Sequence, residues 1–412
     1  METDDRMACQ KPHEVRIYNQ RLILSHLQRK PYTVKQLSTL TGLSATSIMK
    51  SINYLKERGM VGSIGKGSST GEGGKRPDLY LVNRHYKYAL SCFISNDSGI
   101  ILSTDYLNKK VSINKFNFDI TCSFEEVAGL VADKIYGILR QNKLSADQIC
   151  GIAIAFDGVV SSVEGIIKYP VHNLNWGTDI KALAIFKELL PDISTILIGN
   201  SSRLAAYEIL DYNYEYRNKS IYVIGTGADY AGGCLLDHGS AKIGSHGLLG
   251  EVGHTIGLDP ERNEEVRFEN TVGNRFLITS AITMANEAHQ SEEIELLNKL
   301  EDGRANIRDI LVAADNSNIY AQKVIRPIIK SFATLIRNIE LLCDPDLIVI
   351  YGIYALGGEY FKTQIINELG KSVLHTLTGG ISFELLPFRE EFSYCLGATQ
   401  YIIDQDIQNE IS

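Results

Sequence analysis

The sequence predicts an α/β body, with a hint of internal duplication, preceded by a small basic α+β module. Three observations carry that expectation. At 412 residues the chain exceeds one ordinary domain. Its charge is divided: residues 1–88 hold 15 Lys and Arg against 7 Asp and Glu, or +8, so the net −8 leaves −16 for the remainder. Beyond residue 83, strand and helix patterns alternate. A basic head on an acidic body is the footprint of a phosphate-binding module joined to a unit with another task. Hydrophobic residues at 44% and charged residues at 22% exclude a disordered or collagenous chain. The longest apolar run, 347–358, is glycine-broken and short of the roughly 20 residues of a membrane span. The opening METDDRMACQKPHE has charges where a signal peptide needs its apolar segment, so a cytoplasmic location is expected. Seven scattered cysteines (Cys9, Cys92, Cys122, Cys150, Cys234, Cys343, Cys395) contain no C-x-x-C pair, which argues against a disulfide framework or a cysteine-rich zinc site.

In the head, VRIYNQRLILSHLQ (15–28) sets Leu24 and Leu27 beside Ile17 at helical spacing, and Pro31 closes that helix. Thr33 precedes VKQLSTLTG, a short helix ended by Gly42. Ser44 caps a third helix, ATSIMKSINYLKER, with Ala45, Ile48, Ile52 and Leu55 on one stripe and Thr46, Lys50 and Asn53 opposite, Ser47 beside them. Two short helices around a glycine turn, the second offering small polar and basic groups, suit the major groove of DNA. Asn pairs with adenine edges and Lys reaches guanine or phosphate. An ordinary three-helix bundle with a polar solvent face is the competing reading. Strand candidates at 60–63 and 78–82 flank six glycines between Gly62 and Gly74, followed by Lys75, Arg76 and Pro77. That is a wing whose cations meet the DNA backbone or minor groove, as against a glycine-rich linker. The expected DNA-binding residues are therefore Ser44, Thr46, Ser47, Lys50, Asn53, Lys75 and Arg76, on a winged helix-turn-helix over 12–84 that follows a flexible 1–11.

In the body, 89–94 and 99–105 read as a hairpin, 111–118 as a third strand, 124–141 as a helix and 151–156 as another strand. The order recurs in a hairpin at 221–224 and 232–236, a helical region over 268–342 and a strand at 347–351. Along this stretch, after GGKRPDLYLVN at the end of the wing, stand GIAIAFDGVV, HNLNW, IGNSSRLAAYE, VIGTGADYAGGCLL, GSHGLLGEVGHTIG and DPDLIVIYG. In that order and spacing, the chain resembles the ROK family (repressors, open reading frames, kinases) over almost its whole length. The resemblance implies a two-lobed body of the actin/hexokinase type over 85–412, with lobes of about 85–215 and 216–412. It also implies that Asn173, Asn200, Glu251, His254 and Glu269 hold a sugar between the lobes. Their amide, carboxylate and imidazole groups suit paired bonding to hydroxyls, against cap, turn or structural roles for each. Trp176 is placed to stack on a sugar face or to pack internally.

Several departures from the family pattern bear on activity. Where its kinases open the body with D-x-G-G-T, this chain reads LSCFISNDSG, with Phe93 and Ser95 at the Asp and first Gly. The kinases' Asn-Asp is Asn200-Ser201 here, and a serine without a neighbouring base accepts no proton near neutral pH. Gly225-Thr226-Gly227 keeps the form of a second phosphate loop but reads as a hairpin turn. The adenosine segment has become Tyr351-Gly352-Ile353-Tyr354. The family's zinc site draws on three cysteines before the residue matched by Glu269; TIGLDPERNEEVRF has none, so no metal is expected. Charged pairs among Glu261, Arg262, Glu264, Glu265 and Arg267 are the expected replacement.

These readings together imply a transcriptional regulator of carbohydrate genes, a repressor in type. It has no catalytic residues and no cofactor, and it senses a sugar or sugar derivative. Its expected partners are a double-stranded DNA operator, the sugar and a second copy, as a homodimer or dimer-based tetramer, with no membrane association. The rival readings are an ATP-dependent sugar kinase with an appended module, and a ligand-independent protein-interaction scaffold.

Overall fold

Local signals start and stop the helices of the basic module. In this computed structural model, which describes residues 12–66, 76–227, 231–259, 264–273, 277–279, 299, 306–372, 375, 379–390 and 392–412, three helices open the chain: α1 (Pro12–Leu27), α2 (Val34–Thr41) and α3 (Ala45–Glu57). Thr33 and Gln36 form a reciprocal capping box at the start of α2, at 3.2 and 2.9 Å. Gly42 ends α2 at φ +71 and returns its amide to Ser38. The strands β1 (Val61–Lys66) and β2 (Asp78–Val82) pair antiparallel, and a Tyr32–Tyr80 bridge lengthens this sheet. That is the expected winged helix-turn-helix, with two corrections. The α1 core is Ile23, Leu24 and Leu27 with a buried Gln20, while Ile17 is only half-buried. Ala45 is exposed, and Ser51 joins Ile48, Ile52 and Leu55 in the buried stripe. As the first residue of α3, Ala45 lines an open cleft with Ser38, Met49 and Tyr80 instead of packing inward.

The chain divides into two compact units, one of residues 1–156, 163–199 and 398–412, the other of 157–162 and 200–397. Beyond the basic module, the first contains β3 (Tyr88–Ser95), β4 (Ser98–Asp105), β5 (Lys110–Asn117), α4 (Phe124–Asn142), β6 (Ile149–Phe156), β8 (Ile166–Pro170), α5 (Ala182–Leu189) and β9 (Ile196–Asn200), with β7 (Gly158–Ser161) between β6 and β8 in sequence. The sheet order is β5-β4-β3-β6-β9: an antiparallel meander of three, then a parallel step from β3 to β6. Every residue of β6 is buried, which explains its unbroken apolar run. Ser123 and Glu126 form the capping box of α4, which buries Phe124, Val127, Ala128, Val131, Ile135 and Ile138 at helical spacing.

The second unit contains α6 (Ser201–Ala205), β10 (Ser220–Thr226), β11 (Ala231–Asp237), β12 (Ser240–Ala241), β13 (Ile256–Asp259), β14 (Glu264–Arg267), α7 (Phe268–Val272), α8 (Ile307–Asp315), α9 (Ile319–Cys343), β15 (Leu347–Gly352), α10 (Gly358–Leu369) and β16 (Phe383–Leu386). The last helix, α11 (Ser393–Ile411), starts in this unit and ends in the first. Its sheet runs β12-β11-β10-β15-β16, again third, second, first, fourth and fifth strand, with the first three antiparallel and the rest parallel. The duplication hinted at in the sequence is thus a repeated topology. Its core centres on Phe332 of α9, against Phe268 at 5.1 Å, Tyr354 at 4.9 Å and Phe361 at 5.4 Å. Of the helical region expected over 268–342, residues 274–276, 280–298 and 300–305 lie outside the described residues.

Candidate DNA-reading surface and effector site

The α3 helix begins at Ser44, whose Oγ accepts the Ser47 amide at 3.1 Å and lies 3.0 Å from the Ser47 hydroxyl. These two serines are joined in a cap. Thr46, Lys50 and Asn53 are exposed on the face opposite the buried stripe. At the wing, Arg76 is exposed and Lys75 lies outside the described residues. Lys66 is tied to Asp78 across the wing at 2.5 Å. The polar face of α3 and Arg76 are thus available to a phosphate-rich partner.

The five expected sugar ligands divide. Asn173 belongs to the first unit, where it is buried and its Nδ2 donates to the Asn96 carbonyl. The other four belong to the second unit. Asn200, at the carboxyl end of β9, caps α6: its Oδ1 accepts the Arg203 amide at 3.1 Å, and its Nδ2 donates to the Gly158 carbonyl at 2.8 Å. Glu251 precedes and His254 ends the 3-10 turn Val252–His254, which follows the glycine-rich loop 244–250. Glu269, in α7, accepts from Arg267 at 3.3 Å, and a Cβ on Gly253 would stand 2.9 Å from its Oε2. Burial pushes the Glu251 carboxyl above the usual carboxylate range; the charges of His254 and Arg203 oppose that shift and Glu269 adds to it. The fold therefore gathers Glu251, His254, Glu269 and Arg203 into one electrostatic group. Among the described residues no hydrogen bond engages the side chain of Glu251 or His254, whereas Asn173, Asn200 and Glu269 are all engaged.

The altered kinase segments are filled by their own neighbours. LSCFISNDSG forms the β3–β4 hairpin, with Asn96 at φ +53 in the turn. Thr226 is buried, donating to the Tyr351 carbonyl at 3.1 Å and accepting the Tyr354 amide at 3.3 Å. Tyr351 and Tyr354 are themselves buried, the latter bonded to the Val272 carbonyl. Ser201 does have a carboxylate neighbour: its Oγ donates to Asp157 Oδ1 at 2.5 Å. That corrects the expectation of none, because Asp157 follows β6 and Ser201 follows β9, two strands adjacent in the sheet though far apart in sequence. Arg203, 5% exposed, is the other residue here that motif matching passes over; a lone arginine in a small, apolar stretch was its only signal.

No cysteine lies between His254 and Glu269, and among the described residues no group of three or more His, Cys, Asp or Glu is arranged to hold a metal. The donors there do not fit a zinc ion. The hairpin β13–β14 holds this stretch, and Arg267 pairs with Glu269; Glu261 and Arg262 lie outside the described residues. Trp176 packs against Phe124 at 5.3 Å and donates to the Cys122 carbonyl at 3.0 Å.

A match to the ROK family covers residues 119–381. The chain belongs to the ROK family. It is 25% identical over 352 residues to a xylose repressor of Staphylococcus xylosus, covering 81% of this chain and 79% of that one. Among solved structures, a ROK family transcriptional regulator, a homologue of the E. coli MLC protein, superposes with a TM-score of 0.71 at 18% identity over 97% of this chain and 98% of its own. A ROK hexokinase from Thermus thermophilus superposes with a TM-score of 0.56 at 17% identity, over 99% of its own length but 77% of this chain. The ROK fold thus accounts for the actin/hexokinase-like body, and the regulator's coverage extends over the winged module as well. Among the described residues, no helix is long and apolar enough to cross a membrane.

Proposed function

We propose that this ROK protein is a sugar-responsive transcriptional repressor that acts in the cytoplasm and performs no phosphoryl transfer. The observation that carries the reading is a winged helix-turn-helix with an exposed polar α3 face joined, in one chain, to a ROK body whose Glu251 and His254 side chains make no hydrogen bond among the described residues. Residues 12–84 are the DNA-binding module and 85–412 the effector and assembly body, working as a dimer or dimer-based tetramer on a two-half-site operator. Lys50, Asn53, Thr46 and their neighbours choose sequence, while Lys75 and Arg76 supply affinity. The effector class is a neutral sugar held by Glu251, His254, Glu269, Asn173 and Asn200, and the relationship to the xylose repressor makes D-xylose the first candidate. Binding biases one of two body conformations, by no more than the sugar's differential affinity for them.

A mobility-shift assay on the promoter region of the protein's own gene cluster tests this. Specific binding should weaken steeply with salt, be reduced in Asn53→Ala, and change on adding D-xylose. Salt-insensitive or absent binding sinks the DNA half. One observation favours a second reading, as a kinase: the Asp157 carboxylate bonded to Ser201. Robust ATP-dependent turnover of pentoses or hexoses in a coupled assay would establish it, and none is expected with the phosphate segments closed on their own neighbours.

A further inference from the structure

We infer that Arg203 is a positioning residue for effector binding, one that sets the distance between Asn200 and Glu251 by bonding to both of their supports. The inference rests on the sugar-sensing reading above. At its backbone end, the Arg203 amide donates to Asn200 Oδ1 at 3.1 Å, in the cap that holds Asn200 at the tip of β9. At its other end, Nη2 donates to the carbonyls of Gly247 at 3.1 Å and Leu249 at 3.2 Å, in the loop that runs directly into Glu251. Three of the seven residues of that loop, 244–250, are glycines. Gly247 and Gly250 sit at φ +76 and +101, and a Cβ on Gly250 would come within 2.1 Å of the Gly233 carbonyl.

Stability does not account for an arginine at this place. Its side chain is buried, among the described residues it makes no ion pair, and its Nε and Nη1 have no hydrogen-bond partner. Burying a guanidinium so incompletely satisfied is costly, and an apolar side chain of similar length would pack there at lower cost. What an apolar replacement lacks is the two-carbonyl clamp and the positive field. The charged and titratable groups that face Glu251 are Arg203 from α6, His254 from its own turn, Glu269 from α7 and Tyr222 from β10; Cys234 from β11 faces Arg203. The charges of His254 and Arg203 both oppose the rise that burial causes in the Glu251 carboxyl, so removing Arg203 should let that carboxyl protonate at a higher pH.

The experiment is D-xylose binding by calorimetry from pH 5 to 9, with unliganded thermal melts, on the full chain and on Arg203→Met, Arg203→Lys and Glu251→Gln. Arg203→Met should melt at or above the wild-type temperature, lose tenfold or more in xylose affinity, and show the acid limb of its binding profile moved to higher pH. Arg203→Lys should restore that limb and part of the affinity, and Glu251→Gln should lack it. Wild-type affinity and pH profile in Arg203→Met would overturn the inference, as would a variant that does not fold, since the arginine would then be structural. A wild-type chain that binds neither xylose nor a panel of hexoses and amino sugars overturns the effector reading itself, an outcome recognisable before any variant is made.

Discussion

The two five-stranded sheets share one strand order and close their β3–β4 and β10 tips on internal bonds, whereas the loop after β12 carries two polar side chains with none among the described residues. In the first sheet the β3–β4 turn is closed by Asn96 and Asp97, and the Asn96 carbonyl accepts from Asn173. In the second, Thr226 ends β10 and is held by Tyr351 and Tyr354. Beyond β11 and β12, the loop 244–254 delivers Glu251 and His254 with no such bonds among the described residues. Glu251 is half-buried and His254 exposed, so at both a ligand hydroxyl can take the place of water without breaking a bond among the described residues. Repeated topology sets where the tips are, and side-chain bonding separates the tips closed on themselves from the loop left open.

Removing the open group should have the largest effect. With D-xylose as the proposed effector, Glu251→Ala is expected to abolish any rise in melting temperature that the sugar produces, a rise that at a hundredfold excess over Kd would correspond to about 2.7 kcal/mol of stabilisation. A retained shift would erase the distinction between the open loop and the closed tips. Next comes Glu208, buried in the turn Ala206–Asp211 that follows α6, with Ser393 donating to it at 3.2 Å. Burial pushes its carboxyl up from 4.5 to about 8; Arg389 and the Ser393 bond act in the other direction, while Asp211 and Glu390 add to the rise. An acid whose folded value is raised binds more protons folded than unfolded, so its contribution is complete below the ordinary carboxylate value and lost as pH climbs through about 8. Glu208→Gln should therefore flatten the fall in stability between those limits and gain on the order of 1–3 kcal/mol over the native chain above pH 8. Urea denaturation at pH 5, 7 and 9 checks this, and parallel curves for the two proteins would refute it. The smallest effect belongs to the closed tip. Thr226→Val should cost about 1 kcal/mol by leaving the Tyr354 amide without its acceptor, and leave xylose affinity unchanged. A large affinity loss in that variant would mean that the closed hairpin also serves the ligand.

Much of this architecture is legible along the chain because its causes are local. Thr33 with Gln36, Ser123 with Glu126 and Gly42 place helix ends through bonds three or four residues long, and the boundaries at those ends match the sequence reading. Burial is less legible. Ala45 lies on the apolar stripe of α3 by periodicity, yet the first residue of a helix projects past its neighbours, and the polar Ser51 is buried in its stead. At the site, five polar positions follow from the order of motifs, but Asn173 and Asn200 turn out to hold turns and caps with the same atoms that would bond a sugar. Nothing in the spacing of a sequence tells an engaged amide from an unengaged carboxylate.

By itself the sequence determined the partition into a basic module and an acidic body, the succession of ROK motifs, and the lack of any cysteine between His254 and Glu269. Those properties depend on residue type and short-range order alone. The tertiary structure decided which groups meet: Asp157 beside Ser201, and Arg203 reaching from the Asn200 cap to the carbonyls of Gly247 and Leu249. Apart from the local Asn200 cap, those bonds join residues more than forty positions apart, and they exist because adjacent strand tips and a glycine-rich loop bring the groups within hydrogen-bond reach, a consequence of packing that local pattern does not encode.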